Sequence, residues 1–279
     1  LLSMKKKIIA ISNQKGGVGK TTTAINLSTA LAATDQKVLI IDLDPQGNAS
    51  TGLGVDYGQR ENSIYEVLAG QTNITDSIRK TEIDNLFLIP STVDLSGIEP
   101  ELADVNDRAF TLKNIFNANE KLNEFDFIFI DCPPALSLLT VMAMTTANAI
   151  IVPLQCEFFA LEGLSQLIKT IERVRQNLNP GLSIDGIVLT MYDSRNKLSS
   201  QVATDVRNHL REQVYETIIP RNVRVSEAPS FGMPALIYDQ RASGSQAYLS
   251  LANEVIKQNK EQEACLLYTS DAADECLCV

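Results

Sequence analysis

A glycine-rich stretch with two lysines, SNQKGGVGKTT at Ser12–Thr22, contains the residue types that hold a phosphate chain. The common phosphate-binding pattern is G-x-x-x-x-G-K-[ST], and the letters GKT supply its second half. Gln14 stands where the first glycine of that pattern belongs, and an additional lysine, Lys15, follows it. The stretch lies between a β-branched run and a long amphipathic run, which predicts a strand, a phosphate-binding loop and a helix in that order.

Each residue type in this loop has a predicted role. The glycines allow backbone N–H groups to point at phosphate oxygens, and the helix that begins near Lys20 directs the positive end of its dipole at the same place. Lys20 is expected to reach the β- and γ-phosphates of a nucleotide, and the Thr21 hydroxyl to hold Mg²⁺. The alternative is a glycine-rich turn without a ligand. The predicted nucleotide-binding residues of the loop are Lys15, Gly16, Gly17, Val18, Gly19, Lys20, Thr21 and Thr22.

Lys15 is one lysine more than the phosphate loop needs. On the rim of the loop it is either a solvated side chain or a cation that serves a second site. The two glycines after it place its backbone beside the γ-phosphate, so its side chain can reach the nucleotide of another subunit. Charge that develops during phosphoryl transfer is often met by a cation supplied in trans. Lys15 is therefore a candidate catalytic residue beside Lys20.

Three aspartates follow predicted strands and complete the candidate site. Asp42 and Asp44 come after an apolar run that Pro45 ends, and Asp131 closes another apolar run. Because ligands of open α/β sheets lie at the carboxyl ends of the strands, all three aspartates should converge on the phosphate loop. One carboxylate should serve Mg²⁺ and another should position the attacking water. For Asp42, a plain turn or capping role is the alternative.

The composition argues against other chemistries. The chain has 279 residues, 44% of them hydrophobic, and a formal net charge of −10, so a nucleic-acid role would require a local basic patch. The single histidine, His209, is expected on a polar helix surface, which disfavours a triad base or a zinc ligand. Cys132 is expected in the core, because the body of the chain contains no C-x-x-C that could ligate a cluster. The two cysteines of that body favour the cytoplasm.

Short β-branched runs alternate with longer amphipathic runs, which predicts an α/β fold with a mostly parallel twisted sheet and helices on both faces. The predicted strands are Lys7–Ser12, Val38–Asp42, Leu86–Pro90, Phe127–Asp131, Ala149–Pro153, Ile184–Thr190 and Glu216–Ile219. The predicted helices are Lys20–Ala33, Arg108–Leu122, Leu136–Thr146, Ala160–Asn177, Ser199–Glu212 and Gly244–Lys260.

The two ends of the chain are expected to lie outside the fold. Residues 1–3 are interpreted as an extension before a natural start at Met4, and residues 4–263 as one domain without a linker. Residues 264–279 contain CLLYTSDAADE, a string that resembles translated sequencing-adapter DNA, so this tail is expected to be non-native. The alternative is a genuine acidic tail.

The motif K-G-G-x-G-K-T-T resembles the deviant Walker A motif of the ParA/MinD group of P-loop ATPases. Four further stretches resemble the ParA/Soj branch, the chromosome- and plasmid-partition ATPases: DLDPQGN, FDFIFIDCPP, LQCEFFALEGL and IIPRNVRVSEAPSFGMP. The resemblance covers about residues 5–260 and implies a P-loop NTPase-type fold and Mg²⁺-dependent ATP hydrolysis. It also implies an ATP-bound homodimer that binds DNA non-specifically and is released when a ParB/Spo0J-like partner stimulates hydrolysis. The expected location is the cytoplasm, on the nucleoid, without stable membrane association.

The resemblance also implies roles for individual residues. Lys15 corresponds to the signature lysine that crosses an ATP-sandwiched dimer to the partner's phosphates. Asp44 corresponds to the water-orienting residue, and Asp131 to the Walker B aspartate that acts on Mg²⁺, with Asp42 less certain in the second shell. The predicted metal site thus consists of Thr21, Asp131 and Asp42.

Residues of the last third of the chain complete the expectations. Pro220 and Asn222 correspond to positions that line the adenine ring, with a purely structural loop as the alternative. Arg195 and Arg224 correspond to positions that touch DNA, and they lie in residues 166–241, where 10 basic residues outnumber 8 acidic ones. Their alternative is a solvated charged surface.

The sequence departs from the family near this basic segment. Phe231 and Met233 stand where a histidine and a lysine are expected, which removes a cation and weakens the expectation of DNA affinity. Two rival functions stay open. A MinD-like membrane-associated regulator would need a basic amphipathic C-terminal helix, and SLANEVIKQNKEQEA is nearly balanced in charge. A nucleotide-gated switch without significant turnover is the other rival.

Overall fold

The central strands of this protein are nearly continuous apolar runs, because the sheet that they form is covered on both faces. The computed structural model describes residues 6–275. The strands are β1 Lys7–Ile11, β2 Val38–Asp42, β3 Arg79–Lys80, β4 Leu86–Ile89, β5 Phe127–Asp131, β6 Ala149–Gln155, β7 Ser183–Tyr192 and β8 Val214–Pro220. The helices are α1 Lys20–Ala32, α2 Asn48–Gly52, α3 Ile64–Leu68, α4 Ile74–Ser77, α5 Ile98–Glu101, α6 Thr111–Asn117, α7 Leu138–Thr146, α8 Ala160–Asn177, α9 Lys197–Leu210, α10 Val223–Glu227, α11 Ala235–Tyr238 and α12 Ser243–Glu275.

The eight strands make one sheet in the order β3-β4-β2-β5-β1-β6-β7-β8. The strand pairs are parallel except for the short edge pair β3–β4, so the predicted α/β class with a mostly parallel sheet is confirmed. The chain order reverses around the central strand β1, which pairs with β5 on one side and β6 on the other. Open parallel sheets bind ligands at the carboxyl ends of the strands beside such a reversal.

Alternate residues of each central strand enter two separate apolar clusters. One cluster packs the sheet against α3–α9, and the other packs the opposite face against α1, α2 and α10–α12. In β1, for example, Ile8 belongs to the first cluster and Ile9 to the second. Both side chains are almost fully buried. The alternation of side chains along a strand therefore supplies both layers from one apolar run.

The structure differs from the expected elements in several places. The expected helix Arg108–Leu122 is interrupted: α6 ends at Asn117, and the Asn119 side chain donates to the Ile115 carbonyl at 2.7 Å. Asparagine side chains that bond to nearby backbone compete with a continuing helix in this way. The segment before β4 holds short elements, α2–α4 and β3, which sequence periodicity did not reveal.

The C-terminal helix is another difference. It was expected over Gly244–Lys260, and α12 runs from Ser243 to Glu275. Residues 1–5 and 276–279 lie outside the described residues, and these include the interpreted extension 1–3 and the last part of the interpreted tail. The domain boundaries stay a prediction.

A buried polar cluster ties the amino end of β1 to the far end of the chain. Lys7 Nζ donates to the Asp185 carboxylate of β7 at 2.5 Å and to Gln262 Oε1 of α12 at 3.1 Å. The Tyr215 hydroxyl of β8 donates to the other Asp185 oxygen at 2.7 Å. The Asp185 side chain is 1% exposed and the Lys7 side chain 8%, so each charge depends on these partners instead of water.

Replacement of Asp185 by Asn should therefore destabilise the fold strongly. The change leaves a buried ammonium without its counter-charge, which costs about 3 kcal/mol of unfolding free energy. Tyr215→Phe should cost about 1 kcal/mol, since only one hydrogen bond is lost. Urea titration measures both values. Lys257→Met, at the exposed pair with Glu261 on α12, is the control and should change nothing measurable. Equal effects of the Asp185 and Lys257 changes would contradict this account.

Candidate nucleotide-binding site

The loop between β1 and α1 is fixed by hydrogen bonds to the neighbouring strands β6 and β7. Asn13 Nδ2 donates to the Pro153 carbonyl of β6 at 2.7 Å, and Asn13 Oδ1 accepts from the Lys15 N–H at 3.0 Å. The Thr190 hydroxyl of β7 donates to the Val18 carbonyl at 2.8 Å. Gly17 and Gly19 have φ of 73° and 87°, which favours glycine at both positions. These hydrogen bonds and glycine conformations fix the shape of the loop.

A cavity of about 380 Å³ lies above this loop at the carboxyl end of the sheet. A Cβ atom added at Gly16 or Gly17 would meet nothing within 4 Å, so the backbone there borders open space. The size suits a phosphate chain approaching along the N-terminus of α1. The cavity is lined by Gly16, Gly17, Gly19, Lys20, Thr21, Thr22, Asp44, Gln46, Asn48, Pro134 and Met191.

Lys20 is the buried cation of the cavity. It is the first residue of α1, and its Nζ donates to the Lys15 carbonyl at 3.0 Å. Burial lowers the pKa of Lys20, while the nearby Asp131, Cys132 and Asp44 oppose that change. An ammonium group with one hydrogen-bond acceptor beside an open cavity is well placed to bind phosphate oxygens as further partners.

Lys15 has a different environment. Its Nζ pairs with the Glu157 carboxylate at 2.5 Å, and the two side chains are 43% and 46% exposed. It does not line the cavity, although its backbone carbonyl binds the Lys20 ammonium. An ion pair this exposed contributes little to stability, so the Lys15 side chain can leave it at low cost.

Two carboxylates lie side by side at the ends of adjacent parallel strands. The register of β2 and β5 places Asp42 next to Asp131, and both are fully buried. Asp42 Oδ2 accepts from the Ser50 N–H at 2.8 Å and from the Ser50 hydroxyl at 2.7 Å, and its Oδ1 accepts from the Asp44 N–H at 3.3 Å. Burial raises the pKa of Asp42 to about 6, although the bonds from Ser50 oppose the rise.

Asp131 has no such partners. Among the described residues, neither of its buried carboxylate oxygens has a hydrogen-bond partner. The Thr21 hydroxyl lies near enough to favour the charged form but does not form a bond of normal geometry. Burial, followed by the charge of Asp42, raises the pKa of Asp131 well above its ordinary value. A buried carboxylate of this kind requires a cation or a proton.

These observations test whether the predicted metal residues fit Mg²⁺. Hard oxygen donors suit Mg²⁺, which usually keeps several waters and binds through one or two carboxylates plus phosphate oxygens. Thr21 lines the cavity and the buried Asp131 lies near its hydroxyl, so the two residues offer such donors. Both Asp42 oxygens are already occupied, so its predicted place in the metal site remains a prediction that its contacts disfavour. No ready-made cluster of three His, Cys, Asp or Glu ligands occurs within residues 6–275.

Asp44 projects into the cavity from the loop after β2. Its Oδ1 accepts from the Gln46 N–H at 3.0 Å, and its carbonyl accepts from the Gly47 N–H at 2.9 Å. The side chain is nearly buried and lines the cavity together with Lys20. A carboxylate fixed by its own loop at this place can accept a hydrogen bond from a water that approaches the terminal phosphate.

Pro220 and Asn222 are close to the cavity but do not line it. Pro220 ends β8 and pairs with Tyr192, directly after the cavity residue Met191. Asn222 caps α10: its Oδ1 accepts from the Val225 N–H at 3.3 Å, and its Nδ2 donates to the Ser243 hydroxyl at 2.9 Å. Their contact with an adenine ring stays a prediction. Asn222 also caps α10, a structural role of the kind that the alternative of a purely structural loop expects.

The two predicted DNA-binding arginines are exposed and each is paired with nearby carboxylates. Arg195 forms hydrogen bonds with Asp193 at 2.9 and 2.8 Å, and its side chain is 87% exposed. Arg224 lies 3.1 Å from Glu227 and 3.6 Å from Asp239. Exposed pairs exchange partners readily, so these arginines are accessible to an anion although the local charge is compensated.

The remaining expectations concern residues outside the site. His209 is exposed on α9, and Cys132 is buried, with its thiol pKa raised by burial. Both environments agree with the sequence-based expectation. Phe231 and Met233, which depart from the family pattern, are exposed, and Phe231 stacks on Tyr238 with 5.1 Å between ring centroids.

Four cavity residues were not predicted as site residues. Gln46 and Asn48 lie inside the quoted stretch DLDPQGN, and Pro134 lies inside FDFIFIDCPP, so the motifs contained that signal. Met191 adopts a φ of 49°, an uncommon conformation for a side chain without a local hydrogen-bonding group. Nothing in the sequence around Met191 indicated this conformation.

A strand, a phosphate loop and a helix at the reversal of a parallel sheet, with strand-end carboxylates beside a buried lysine, define the P-loop class of nucleotide-binding proteins. The family model described as an AAA domain matches residues 6–184. The chain is 58% identical over 258 residues to the chromosome partitioning protein ParA of Caulobacter vibrioides, covering 92% of this chain and 97% of that protein. It therefore belongs to the ParA/Soj family of chromosome-partitioning ATPases.

Two further comparisons agree with this assignment. The chain is 48% identical to the sporulation initiation inhibitor protein Soj of Bacillus subtilis, covering 89% of this chain and 98% of that protein. The crystal structure of cobyrinic acid a,c-diamide synthase from Mycobacterium smegmatis, with bound ATP analogue and magnesium, matches with a TM-score of 0.79 at 34% identity. That match covers 91% of this chain and 96% of the other. The resemblance inferred from the motifs is confirmed.

Lys20→Ala should abolish tight nucleotide binding. The change removes the buried ammonium of the cavity, and loss of a charged hydrogen bond to phosphate costs on the order of 3 kcal/mol, or about a hundredfold in the dissociation constant. Titration with a fluorescent ATP analogue measures the effect. Lys169→Ala, at an exposed position of α8, is the matched control and should bind as the parent does. Unchanged affinity of the Lys20 variant would refute the site.

Proposed function

We propose that this chain is a Mg²⁺-dependent ATPase whose ATP-bound form is a homodimer that binds DNA non-specifically and is released upon hydrolysis. The observation that carries the proposal is the convergence of Lys20 and Asp44 on one cavity, with the exposed Lys15 at its rim. A ParB-like partner would stimulate the hydrolysis, and the chain would reside on the nucleoid. Membership of the ParA/Soj family supports each part of this proposal.

The cavity residues divide the work of phosphoryl transfer. The loop N–H groups and Lys20 bind the phosphate oxygens and stabilise the charge that develops on them. Asp44 holds a water in line with the terminal phosphate and accepts a hydrogen bond from it. Bound Mg²⁺, which Thr21 and Asp131 would hold, would neutralise phosphate charge. The Pro220 and Asn222 segment would face the base.

The rim of the cavity has the character of a surface that another copy covers. Phe158 and Phe159 follow Glu157 directly, are 73% and 63% exposed, and pack edge to face at 5.1 Å. Leu136 is also exposed and lies two residues from the cavity residue Pro134. Exposed apolar groups of this size around a functional cavity mark interaction surfaces. A facing copy would cover them and bring its Lys15 to the nucleotide.

DNA binding would follow from dimer formation. Arg195 and Arg224 present exposed guanidinium groups, and a dimer carries both twice. Contacts of this kind to phosphates are independent of base sequence and weaken with salt. The uncharged Phe231 and Met233 limit the patch to few cations, so the affinity should be modest.

The rival function without turnover receives less support. A switch without turnover would not need Asp44 in the cavity, where it lies beside the phosphate loop. Within residues 6–275, no helix combines the length and the apolar composition that a bilayer crossing requires.

Asp44→Ala should leave ATP binding intact and slow hydrolysis at least about a hundredfold, since the nucleophile loses its orienting group. Single-turnover phosphate release and nucleotide titration separate the two effects. Asp56→Ala, an exposed aspartate farther along the same segment, is the control. Turnover at the parental rate in the Asp44 variant would remove the basis of the proposal.

Lys15→Ala should bind ATP but remain monomeric or form inactive dimers, because the cation supplied in trans is lost. Glu157→Gln should instead strengthen ATP-dependent dimerisation by up to about fivefold, since it frees Lys15 from an exposed ion pair worth at most about 1 kcal/mol. Light scattering with a non-hydrolysable ATP analogue measures both. The dimer model is wrong if the parent stays monomeric with that analogue at every concentration tested.

A further inference from the structure

Arg60 is a buried cation without a carboxylate partner among the described residues. It is 3% exposed, and its guanidinium is bound only by neutral acceptors. A buried charge is tolerated only where its hydrogen-bonding capacity is used, and Arg60 uses three of its nitrogens on this part of the chain. The nucleotide site described above does not include it.

The guanidinium joins two segments of the chain, residues 51–55 and the residues just after β4. Its Nε and one terminal nitrogen donate to the Val55 carbonyl at 3.1 and 2.9 Å. The other terminal nitrogen donates to the Ser91 carbonyl, just after β4, at 3.1 Å. The terminal nitrogen that binds Val55 also donates to the Thr51 hydroxyl of α2 at 2.7 Å. A flat group with donors on three sides suits this geometry, and a lysine ammonium does not.

One of these contacts continues to the loop that carries Asp44. The Thr51 hydroxyl donates to the Gly47 carbonyl at 3.1 Å, and the Gly47 N–H donates to the Asp44 carbonyl at 2.9 Å. Gly47 also lies directly against the guanidinium: a Cβ there would come 2.2 Å from an Arg60 nitrogen. The turn after Asp44 is therefore packed onto Arg60 with no room for a side chain.

A second path leads to the cavity through Tyr57. Its ring stacks on the Arg60 guanidinium with 4.1 Å from the carbon to the ring centroid. Its hydroxyl donates to the carbonyl of the cavity residue Gln46 at 3.2 Å. Tyr57 is 64% exposed, so stacking on the cation and the bond to Gln46 together hold its side chain.

A third path reaches the buried carboxylates. The Ser91 carbonyl accepts from Arg60, and the Ser91 N–H donates to the Ser50 hydroxyl at 3.1 Å. The same hydroxyl donates to Asp42. All three paths start at one guanidinium and end at residues 42–47, the segment that bears the water-orienting carboxylate.

We propose that Arg60 is a positioning residue for hydrolysis: it fixes the segment 42–55 so that Asp44 stays at the distance and angle that in-line attack requires. This inference rests on the proposed ATPase function. It assigns to Arg60 no contact with nucleotide, so loss of its geometry should affect turnover and leave nucleotide binding by the phosphate loop unchanged.

Arg60→Lys tests this directly, because it keeps the charge and loses the planar set of donors. Its kcat should fall on the order of ten- to a hundredfold, the range that small displacements of a catalytic group produce, with the ATP dissociation constant within about twofold of the parent. Thr51→Val removes only the hydroxyl that links Arg60 to Gly47, at an exposed position, and should lower kcat in the same direction. Thr51→Ser restores the hydroxyl and should restore kcat.

Arg79→Lys is the matched control. The Arg79 guanidinium binds the Gln59 and Glu61 carbonyls on either side of Arg60 but makes no bond to residues 42–55. This control should retain the parental kcat. Parental kcat in both Arg60→Lys and Thr51→Val overturns the proposal, and so does a parallel loss of kcat and ATP affinity, which indicates a merely structural role. If Arg60→Lys does not fold, the two Thr51 variants decide.

Hydrogen exchange separates this inference from the proposed function. In Arg60→Lys and Thr51→Val, the amides of Gly47, Thr51 and Val55 should exchange faster than in the parent, with exchange in β1 and β5 unchanged. Faster exchange shows that Arg60 fixes the segment 42–55 even if the parent hydrolyses no ATP, a result that would reject the proposed function but not this structural link. Parental exchange rates in both variants overturn the inference.

Discussion

Two carboxylates buried side by side impose the constraint around which this structure is organised. Parallel register leaves no choice: Val38 lies beside Phe127, so Asp42 must lie beside Asp131. Like charges at such a place cannot both be left to a dry interior. Asp42 is stabilised by N–H and hydroxyl donors that α2 supplies, whereas Asp131 faces the lysine and threonine at the start of α1. The phosphate loop, α2 and the sheet are thus three parts of one electrostatic arrangement.

The architecture was largely predictable from the sequence, because it depends on hydrophobic patterns that recur along the chain. Runs such as Phe127–Asp131 are apolar at successive positions, because alternate side chains of one strand pack into the apolar clusters on the two faces of the sheet. Helix ends and edge elements were less predictable, since they depend on single contacts. The break at Asn117 and the two-residue strand Arg79–Lys80 have no periodicity that a sequence could display.

The site was predictable where chemistry is local in sequence and obscure where it is not. Gly19, Lys20 and Thr21 are consecutive, so the sequence shows their cooperation. The Lys15–Glu157 pair joins residues 142 positions apart, and nothing in the sequence around either residue indicates its partner. The contacts of Arg60 could not be predicted from the sequence for another reason. Its partners are backbone carbonyls and a hydroxyl, which every sequence contains and no motif marks.

The contacts of Lys7 have a consequence for how the chain is made. This residue stands in the central strand, yet its partners Asp185 and Gln262 are 178 and 255 positions away. The ribosome releases β1 long before Gln262 of α12, so the Lys7 ammonium lacks these partners while the residues between them are synthesised. Contacts of such long range slow folding, because the chain between the two residues loses conformational entropy before their contact can form. The buried contacts of Lys7 are therefore complete only after Gln262 has been translated.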